Sequence, residues 1–311
     1  MFSPLHAKAI AVYGEVLVDE FDGIKIVGGA PFNVARHLGA LGDMPVMLSA
    51  IGQDSNADLI RTEFERFGLA LNGLQVILGK PTGVVTVHMQ ADHSHLFEIQ
   101  SECAYDYIST SVVQNTDLHG WLYYGTLALR SEVSFQTWRQ IMRSHVGLRY
   151  FDLNWRAGFV AVDRALLAMA EADVVKVNEE ELQLLCSWSR LDSMSRVSEW
   201  KKDEIDVAIA ALMRLHLIQH LIVTRGDKGY ACFDSLGICR HLVTLARPVN
   251  LVDTVGAGDA FSAVTLHGLS RGWDLAVTLS RAADFASRVC EIRGAVPHQM
   301  DVYQDWTADW K

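Results

Sequence analysis

Residues 250–262, NLVDTVGAGDAFS, combine two glycines and a carboxylate at a predicted junction between a strand and a helix. Gly256 and Gly258 permit several backbone N–H groups to approach one anion, and the positive end of the following helix dipole adds to that attraction. A carboxylate at the same point, Asp259, is useful if it meets an acceptor hydroxyl beside a bound phosphate. The alternative is a capped turn in which Asp259 only satisfies free N–H groups, because aspartate is favoured there in any case.

A second pair of glycines lies near the start of the chain, in the segment IVGGAPFNVARHLGALG over residues 26–42. Gly28 and Gly29 allow the backbone to approach a ligand closely, although an ordinary turn between a strand and a helix would use them equally well. Upstream, Asp19 could accept hydrogen bonds from two adjacent hydroxyls, which suits a vicinal diol. The alternative for Asp19 is a solvated turn, because further acidic residues follow it directly.

Two later segments place polar residues directly after apolar, strand-forming runs. In KVNEEELQLL, Asn178 and Glu181 stand three positions apart, and one carboxylate after a strand is enough for Mg²⁺, which keeps most of its waters. The same acidic run would also suit the first turn of a helix, where carboxylates interact favourably with the dipole. In LIVTRGDKG, a strand runs into a glycine turn that a generic hairpin would also explain.

Short apolar runs alternate with helical patterns along most of the chain. The predicted strands cover residues 9–13, 46–51, 121–125, 150–153, 174–177, 220–224 and 230–233. The predicted helices cover residues 32–41, 56–67, 135–143, 162–170, 179–186, 204–217, 260–269 and 275–289. This alternation predicts an α/β fold with a doubly wound, mainly parallel sheet and helices on both faces. Ligands bind such sheets at the carboxyl ends of the strands, where the junctions carry the chemistry.

Two segments break the alternation, because residues 15–27 and 84–107 have the pattern of strands with no helix between them. Several antiparallel strands outside the main sheet would form a small β-sheet lid over the active site. The alternative is that they add edge strands to the main sheet. With a lid, the chain divides into a core of residues 1–14, 28–83 and 108–311 and a lid of residues 15–27 and 84–107.

Composition limits the class of function. The chain has 27 basic and 37 acidic residues and a formal net charge of −10, which argues against a nucleic-acid binder. No apolar run approaches the roughly 20 residues of a membrane span, and the N-terminus lacks the pattern of a cleavable signal. The five cysteines are widely spaced and form neither a disulfide framework nor a zinc pattern, so we expect a cytoplasmic protein with reduced thiols.

The string DTVGAGDAF resembles the second signature of the ribokinase/PfkB family of sugar and nucleoside kinases, and GGAPFNVA resembles the first. The resemblance implies ATP-dependent phosphorylation of a hydroxyl, with Asp259 as the base and with Gly256, Ala257 and Gly258 as the anion hole. Because a helix N-terminus favours a carboxylate, we expect Asp259 to stay ionised and weakly basic. It would then orient the hydroxyl as much as deprotonate it.

The resemblance also implies roles for the other motifs. Substrate contacts are expected from Asp19, Gly28, Gly29, Asn33 and Arg156. ATP contacts are expected from Asn178, Thr224, Gly226 and Gly229, with Mg²⁺ held through water by Glu181. Backbone carbonyls near Asp253 and Val255, together with the loop 287–295, hold a monovalent cation in many relatives, so K⁺ is a further expected ion. A second subunit often covers the lid in related kinases, which implies a homodimer.

Three further segments, GTLALRS, FDLNWR and ECAYDY, resemble the fructokinase-like branch, so the expected reaction converts fructose to fructose 6-phosphate. Leu153 stands where this branch usually has proline, and Trp155 where it has an aliphatic residue. Trp155 would either narrow the sugar site or fill the core. The alternative substrates are 2-keto-3-deoxygluconate, another sugar or a nucleoside.

The motifs also bear on two functions outside the kinases. A non-catalytic sugar sensor on the same fold is disfavoured by the presence of Asp259, Gly256, Gly258 and Glu181, which only a working kinase needs. A dinucleotide-binding dehydrogenase is excluded because no GxGxxG pattern follows the first predicted strand.

Overall fold

The structure is a computed structural model that describes residues 9–21, 23–89, 95–112, 119–191, 202–243 and 250–310. Its strands, in chain order, are β1 (Ile10–Tyr13), β2 (Leu17–Phe21), β3 (Ile24–Gly28), β4 (Val46–Ile51), β5 (Leu74–Val76), β6 (Gly83–Met89), β7 (His95–Ile99), β8 (His119–Tyr124), β9 (Val146–Asp152), β10 (Val174–Asn178), β11 (His220–Thr224), β12 (Tyr230–Asp234) and β13 (Cys239–Val243). Its helices are α1 (Ala30–Ala40), α2 (Ser55–Arg66), α3 (Glu132–Ser144), α4 (Val162–Ala170), α5 (Glu179–Trp188), α6 (Lys202–His216), α7 (Ala257–Ser270), α8 (Leu275–Val289) and α9 (Val302–Trp306).

The larger sheet has nine strands in the order β13-β12-β11-β10-β9-β8-β1-β4-β5. From β11 to β5 all neighbours pair in parallel, whereas β12 pairs antiparallel with both β11 and β13. The chain places β4 on one side of β1 and β8 on the other, so the strand order reverses at β1 and opens a crevice at its carboxyl end. The predicted fold class, a doubly wound and mainly parallel sheet, is confirmed.

Both faces of this sheet are buried, which explains the nearly continuous apolar sequence of its strands. All four residues of β1 are buried. Ile10 and Val12 belong to the core layer that includes residues of α1, α7 and α8. Ala11 and Tyr13 belong to the layer on the other face, which includes residues of α3, α4 and α6. Successive side chains of a strand point to opposite faces, so one apolar run serves both layers.

A second sheet of four strands has the order β3-β2-β6-β7 and confirms the predicted small sheet. The pairs β2–β3 and β6–β7 are antiparallel, whereas β2 and β6 run parallel. The expectation of strand structure through residue 107 is wrong, because residues 104–107 form a 3₁₀ helix. Ala104 and Tyr105 of that helix are buried in the main core, which favours a compact turn over an exposed strand. The core and lid boundaries remain a prediction, and residues 1–8, 22, 90–94, 113–118, 192–201, 244–249 and 311 of those ranges lie outside the described residues.

The predicted elements agree closely with the structure in the parallel core. The strands at 46–51 and 220–224 and the helices at 162–170 and 275–289 have the predicted limits. The sequence interpretation omitted β5, β13 and α9, which have three to five residues each and offer little periodicity. None of the helices within the described residues is both long and apolar enough to cross a bilayer.

Candidate active site

Strand ends and helix starts bring most of the predicted motifs to one edge of the larger sheet. β9 ends at Asp152, β10 at Asn178 and β11 at Thr224, and these three strands run parallel to one another. The start of α7 reaches the same edge, because Ser262 Oγ donates a hydrogen bond of 2.8 Å to Asp152. The carboxyl ends of parallel strands are where such sheets bind ligands.

Residues Gly256, Ala257 and Gly258, here called the GAG loop, form the start of α7. Gly256 is the N-cap residue, with φ +78° in the left-handed region that favours glycine. A Cβ on Gly256 would also overlap Ala295, so the loop packs closely on the segment that follows α8. α7 has no side-chain cap at its start, which leaves the first backbone N–H groups of the helix for another acceptor. The GAG loop can therefore bind an anion at the positive end of α7.

Asp259 lies in the first turn of α7, and its Oδ2 accepts a hydrogen bond of 2.7 Å from Asn33 Nδ2. The pKa of Asp259 is raised to about 6, because burial, together with the nearby Asp152, outweighs the lowering by Asn33, Lys176 and Arg156. The expectation that the helix start keeps Asp259 weakly basic is therefore wrong. Loss of solvent around the carboxylate outweighs the favourable helix end and gives a stronger base.

The orientation of Asn33 is fixed by a second contact on α1. Arg36 Nη2 donates a hydrogen bond to Asn33 Oδ1, so the amide nitrogen of Asn33 must point toward Asp259. Arg36 is itself held by Glu63 Oε2 at 2.8 Å and by the carbonyl of Val27 at 2.9 Å. A buried chain of contacts therefore leads from α2 to the carboxylate of Asp259.

The predicted sugar residues lie where the small sheet joins α1. Asp19, on β2, lies over Gly28, where a Cβ would overlap its carboxylate. Burial raises the pKa of Asp19 to about 6, while Arg36 and Arg156 lower it. Gly29 has φ +103° and caps α1, and a Cβ there would meet the carbonyl of Glu15 at 2.6 Å. Glycine is therefore required at position 29, whereas a side chain at position 28 would push the Asp19 carboxylate out of its place.

Arg156 is exposed, and its described hydrogen bond is a long one of 3.5 Å to the carbonyl of Trp155. It nevertheless lies near enough to Glu15, Asp19 and Asp259 to lower the pKa of each carboxyl group. A guanidinium in this position can bind an oxygen-rich ligand between the small sheet and α7.

Asn178 and Glu181 form a capping box at the start of α5. Asn178 Oδ1 accepts from Glu181 N at 2.8 Å, and Glu181 Oε2 accepts from Asn178 N at 2.9 Å. Glu181 Oε1 accepts a further hydrogen bond of 2.8 Å from the backbone N–H of Trp155. The carboxylate is thus fixed in place, and each of its oxygens keeps one lone pair for another donor.

Trp155 packs on Trp188, with ring centroids 4.6 Å apart, at the edge of the core. Of the two roles considered for this residue, the structure supports core packing. Its backbone N–H, rather than its ring, is what reaches Glu181.

The loop after β11 contains Thr224, Gly226 and Gly229. Gly226 and Gly229 have φ values of +56° and +93°, and a 3₁₀ helix covers Gly226–Lys228. Thr224 Oγ1 donates to the carbonyl of Val177 at 3.3 Å, which places this loop beside the end of β10. The three residues therefore lie next to the start of α5, although their predicted contacts with ATP remain a prediction.

Asp253 connects the segment before the GAG loop to the segment after α8. Its Oδ1 accepts from Val255 N and its Oδ2 from Gly294 N, both at 3.0 Å. The backbone N–H of Asp253 also donates to the carbonyl of Cys290 at 3.2 Å. The structure thus brings Asp253 and Val255 beside the loop that the family resemblance paired with them, and a K⁺ ion there remains a prediction.

Three buried charged residues at this edge were not identified from the sequence: Glu15, Asp152 and Lys176. Asp152 accepts a hydrogen bond of 2.8 Å from Lys176 Nζ, and burial raises the pKa of Glu15 to about 7. The sequence does carry a sign of two of them, because Lys176 in VVKVN and Asp152 in RYFDL are charged residues within strand-forming runs. Charged side chains are almost never fully buried unless they are paired. A charge within a strand-forming run therefore indicates a buried polar site.

The residues fit Mg²⁺ better as a partner of bound phosphates than as a protein-enclosed ion. Within the described part of the chain, no group of three or more His, Cys, Asp or Glu side chains could hold a metal. Glu181 is buried and keeps free lone pairs, which suits contact with a metal-bound water.

Comparison with known proteins places this chain within one family. Residues 6–300 match the model of the pfkB family carbohydrate kinase. A fructokinase from Escherichia coli is 30% identical over 280 residues, which are 83% of this chain and 83% of that relative.

Solved structures share the fold. A fructokinase double mutant from Vibrio cholerae O395, bound to fructose, ADP and a potassium ion, superposes with a TM-score of 0.75 at 23% identity, covering 93% of this chain and 94% of that one. Aminoimidazole riboside kinase from Salmonella enterica gives a TM-score of 0.75 at 22% identity, covering 97% of this chain and 100% of that one. With its signature motifs placed at one sheet edge, the chain belongs to the pfkB family of carbohydrate kinases and is a phosphotransferase that acts on a sugar hydroxyl.

Proposed function

We propose that this protein transfers the γ-phosphoryl group of ATP to a hydroxyl of fructose and forms fructose 6-phosphate. The observation that carries the proposal is the position of Asp259, one residue after the GAG loop, with its carboxylate held by Asn33 at 2.7 Å. A base beside an anion-binding helix start is the arrangement that phosphoryl transfer to an alcohol requires.

In this mechanism the N–H groups of the GAG loop bind the transferring phosphoryl group. The bond between the γ-phosphorus and its bridging oxygen breaks, and its electrons stay on ADP. The sugar hydroxyl oxygen forms the new bond to phosphorus, and its proton moves to Asp259. Glu181 would hold Mg²⁺ through a water, and the ion would neutralise charge on the phosphates. Asn178, Thr224, Gly226 and Gly229 are proposed to line the nucleotide side.

The sugar is proposed to bind between the small sheet and α1. Asp19 and Asn33 would accept and donate hydrogen bonds to its hydroxyls, and Arg156 would contact its oxygens from the open side. The fructokinase names of the relatives support fructose as the acceptor. Carbonyl oxygens of Asp253 and Val255 are proposed to bind K⁺, which would stiffen the segment before the GAG loop.

A homodimer through the small sheet is part of the same proposal. β3 is an edge strand, and its Ile24 and Ile26 are 59% and 48% exposed. An exposed apolar edge strand is normally covered in a native protein, and a second copy would cover it. Sedimentation of the wild-type protein and of Ile26→Glu tests this, because the variant should shift toward monomer.

A screen of acceptors tests the proposed substrate. ADP release is measured with ketoses, aldoses, keto-deoxy acids and nucleosides, each with and without K⁺. We expect fructose to give the highest kcat/KM and K⁺ to raise it. A higher kcat/KM with 2-keto-3-deoxygluconate or a nucleoside would replace fructose as the acceptor. ADP release that is independent of every acceptor would contradict kinase activity itself.

A further inference from the structure

Lys176 is a buried lysine whose ammonium group lies against the GAG loop. Only 6% of the residue is exposed, although it carries a charge in the middle of an apolar strand, β10. Its Nζ would be 3.1 Å from a Cβ placed on Gly258. A Cβ at this distance would crowd the ammonium, so glycine at position 258 leaves room for it beside the GAG loop.

Asp152 holds this ammonium in place. Its Oδ2 accepts hydrogen bonds of 2.8 Å from both Lys176 Nζ and Ser262 Oγ, and a longer one of 3.3 Å from Tyr123 OH. Asp152 is 1% exposed, so its position is set by the core. The contact from Ser262, one turn along α7 from Gly258, ties the same carboxylate to the helix that begins at the GAG loop.

The hydrogen-bonding capacity of Lys176 is only partly used. An ammonium has three N–H donors, and within the described residues Lys176 makes one hydrogen bond, to Asp152. A buried charge that keeps free donors is costly unless another acceptor satisfies them. The nearest feature built to receive an anion is the GAG loop.

The surroundings keep Lys176 charged at neutral pH. Burial acts to lower its pKa, but Asp152, Glu181 and Asp259 act in the opposite direction and raise it overall. Three carboxylates around one ammonium leave the site with a net negative charge. This charge repels an entering phosphoryl group. A fixed cation at the GAG loop reduces that repulsion.

We propose that Lys176 binds the phosphoryl group during its transfer and that Asp152 is the residue that positions Lys176. This inference rests on the proposed kinase function and adds a cation to the GAG loop. Lys176 keeps its three protons throughout, and the hydroxyl proton still moves to Asp259. The ammonium stabilises the charge that spreads over the equatorial oxygens of phosphorus while the old bond breaks and the new one forms.

The competing account is that Lys176 only neutralises Asp152 and has a structural role. The two accounts differ in what happens when both charges are removed. If Lys176 only balances Asp152, the double variant Asp152→Asn/Lys176→Met should recover the activity that Lys176→Met loses. If Lys176 binds the phosphoryl group, the double variant should stay slow.

The experiment compares kcat, both KM values and ADP affinity of the wild type, Lys176→Met, Lys176→Arg and the double variant. We expect Lys176→Met to lower kcat by about 100-fold or more, with ADP affinity and the sugar KM within about threefold of wild type. Lys176→Arg should recover part of kcat because it keeps the charge. If Lys176→Met does not fold, the neutral double variant gives the same comparison without an unpaired buried carboxylate.

Ser262→Ala is the matched control, because it removes another hydrogen bond to the same oxygen of Asp152. We expect its kcat within about threefold of wild type. A loss in Ser262→Ala equal to that in Lys176→Met, or full recovery in the double variant, would overturn the role of Lys176. A wild-type enzyme that phosphorylates no sugar would instead overturn the proposed function, and with it this inference.

Discussion

Asp259 and Asn33 are 226 positions apart in the sequence and are joined by one hydrogen bond in the structure. That bond comes from a neutral amide, which lowers the pKa of the carboxyl group less than a full positive charge would. Burial therefore determines the result, and the pKa of Asp259 rises to about 6. A carboxylate with this pKa is ionised at neutral pH and still accepts a proton readily.

The pH dependence of activity should reveal this pKa. Asp259 and Asp19 both have pKa values of about 6 in the ligand-free protein, and each must be ionised to act. We expect kcat/KM for the sugar to fall as the pH drops through about 6, because the free enzyme takes up protons there. Asp19→Asn should leave a shallower acid limb that belongs to Asp259. An acid limb near pH 4 would contradict the raised pKa values.

Asp19 should matter for the sugar and not for the nucleotide. Replacing it by asparagine removes a charged acceptor while it keeps the size of the side chain. We expect the sugar KM to rise by about tenfold or more and the KM of ATP to stay unchanged. Glu20→Gln is the control, because the next residue of β2 points to the opposite face of the sheet. Equal effects on both KM values would remove Asp19 from the sugar site.

Glu15 should lower the stability of the ligand-free protein. It is 4% exposed, its Oε2 accepts no hydrogen bond from the described residues, and burial raises its pKa from 4.5 to about 7. The native state therefore binds more protons than the unfolded chain, so stability is lost as the pH rises from about 4.5 to 7.

Glu15→Gln should remove this loss. We expect the free energy of unfolding to increase by roughly 1–3 kcal/mol at pH 8 and hardly at all below pH 4.5. Chemical denaturation across this pH range measures the difference. A variant that is less stable than wild type at pH 8 would contradict the raised pKa of Glu15, because it would mean that a partner stabilises the ionised carboxylate.

At the scale of elements, α7 has a glycine with positive φ at each end: Gly256 in the GAG loop and Gly272 just after the last turn. Gly256 has φ +78°, and a Cβ there would overlap Ala295, whereas Gly272 has φ +71° and open space around it. Alanine at either position costs about 1 kcal/mol of stability for the left-handed backbone. Only alanine at Gly256 must also displace the GAG loop.

Gly256→Ala and Gly272→Ala therefore form a matched pair. We expect Gly256→Ala to lower kcat by about 100-fold and Gly272→Ala to leave kcat unchanged, although both variants lose melting temperature through the left-handed backbone. Thermal unfolding and steady-state rates on the two variants make the comparison. Similar kcat values in the two variants would show that the exact path of the GAG loop is unimportant.

Elements with a strong period could be predicted from the sequence, and contacts between distant elements could not. α4 and α8 have the predicted limits because each carries an apolar face at helical spacing. The predicted strand over residues 104–107 is wrong, because alternating small, aromatic and acidic residues fit a strand as well as the 3₁₀ helix that forms there. The order of residues in this short segment does not show that Tyr105 packs in the main core.

In the site, too, contacts between distant elements could not be predicted from the sequence. The GAG loop and Asp259 follow from one continuous string, so their adjacency was visible in the sequence. The pKa of Asp259 depends on burial by elements far along the chain, which no local string contains. Lys176 and Asp152 became visible as a pair only when β9 and β10 were seen side by side.

At the scale of the whole molecule, two sheets meet at the proposed site. The larger sheet supplies the buried Lys176, and the smaller one supplies Asp19. The GAG loop and Asp259 lie at the start of α7. α1 joins the two sides, because it begins directly after β3 and carries Asn33 to Asp259. The sugar side is thus built by the smaller sheet and α1, and the phosphate side by α7 and the larger sheet, around the carboxylate of Asp259.

The most direct test of this account is the rate of sugar phosphate formation by Asp259→Asn at saturating ATP and fructose. We expect that rate to fall by about 10³-fold, while calorimetry shows ADP and fructose binding within about threefold of wild type. Fructose 6-phosphate formation at a rate near that of the wild type would contradict the role of Asp259 and, with it, the proposed mechanism.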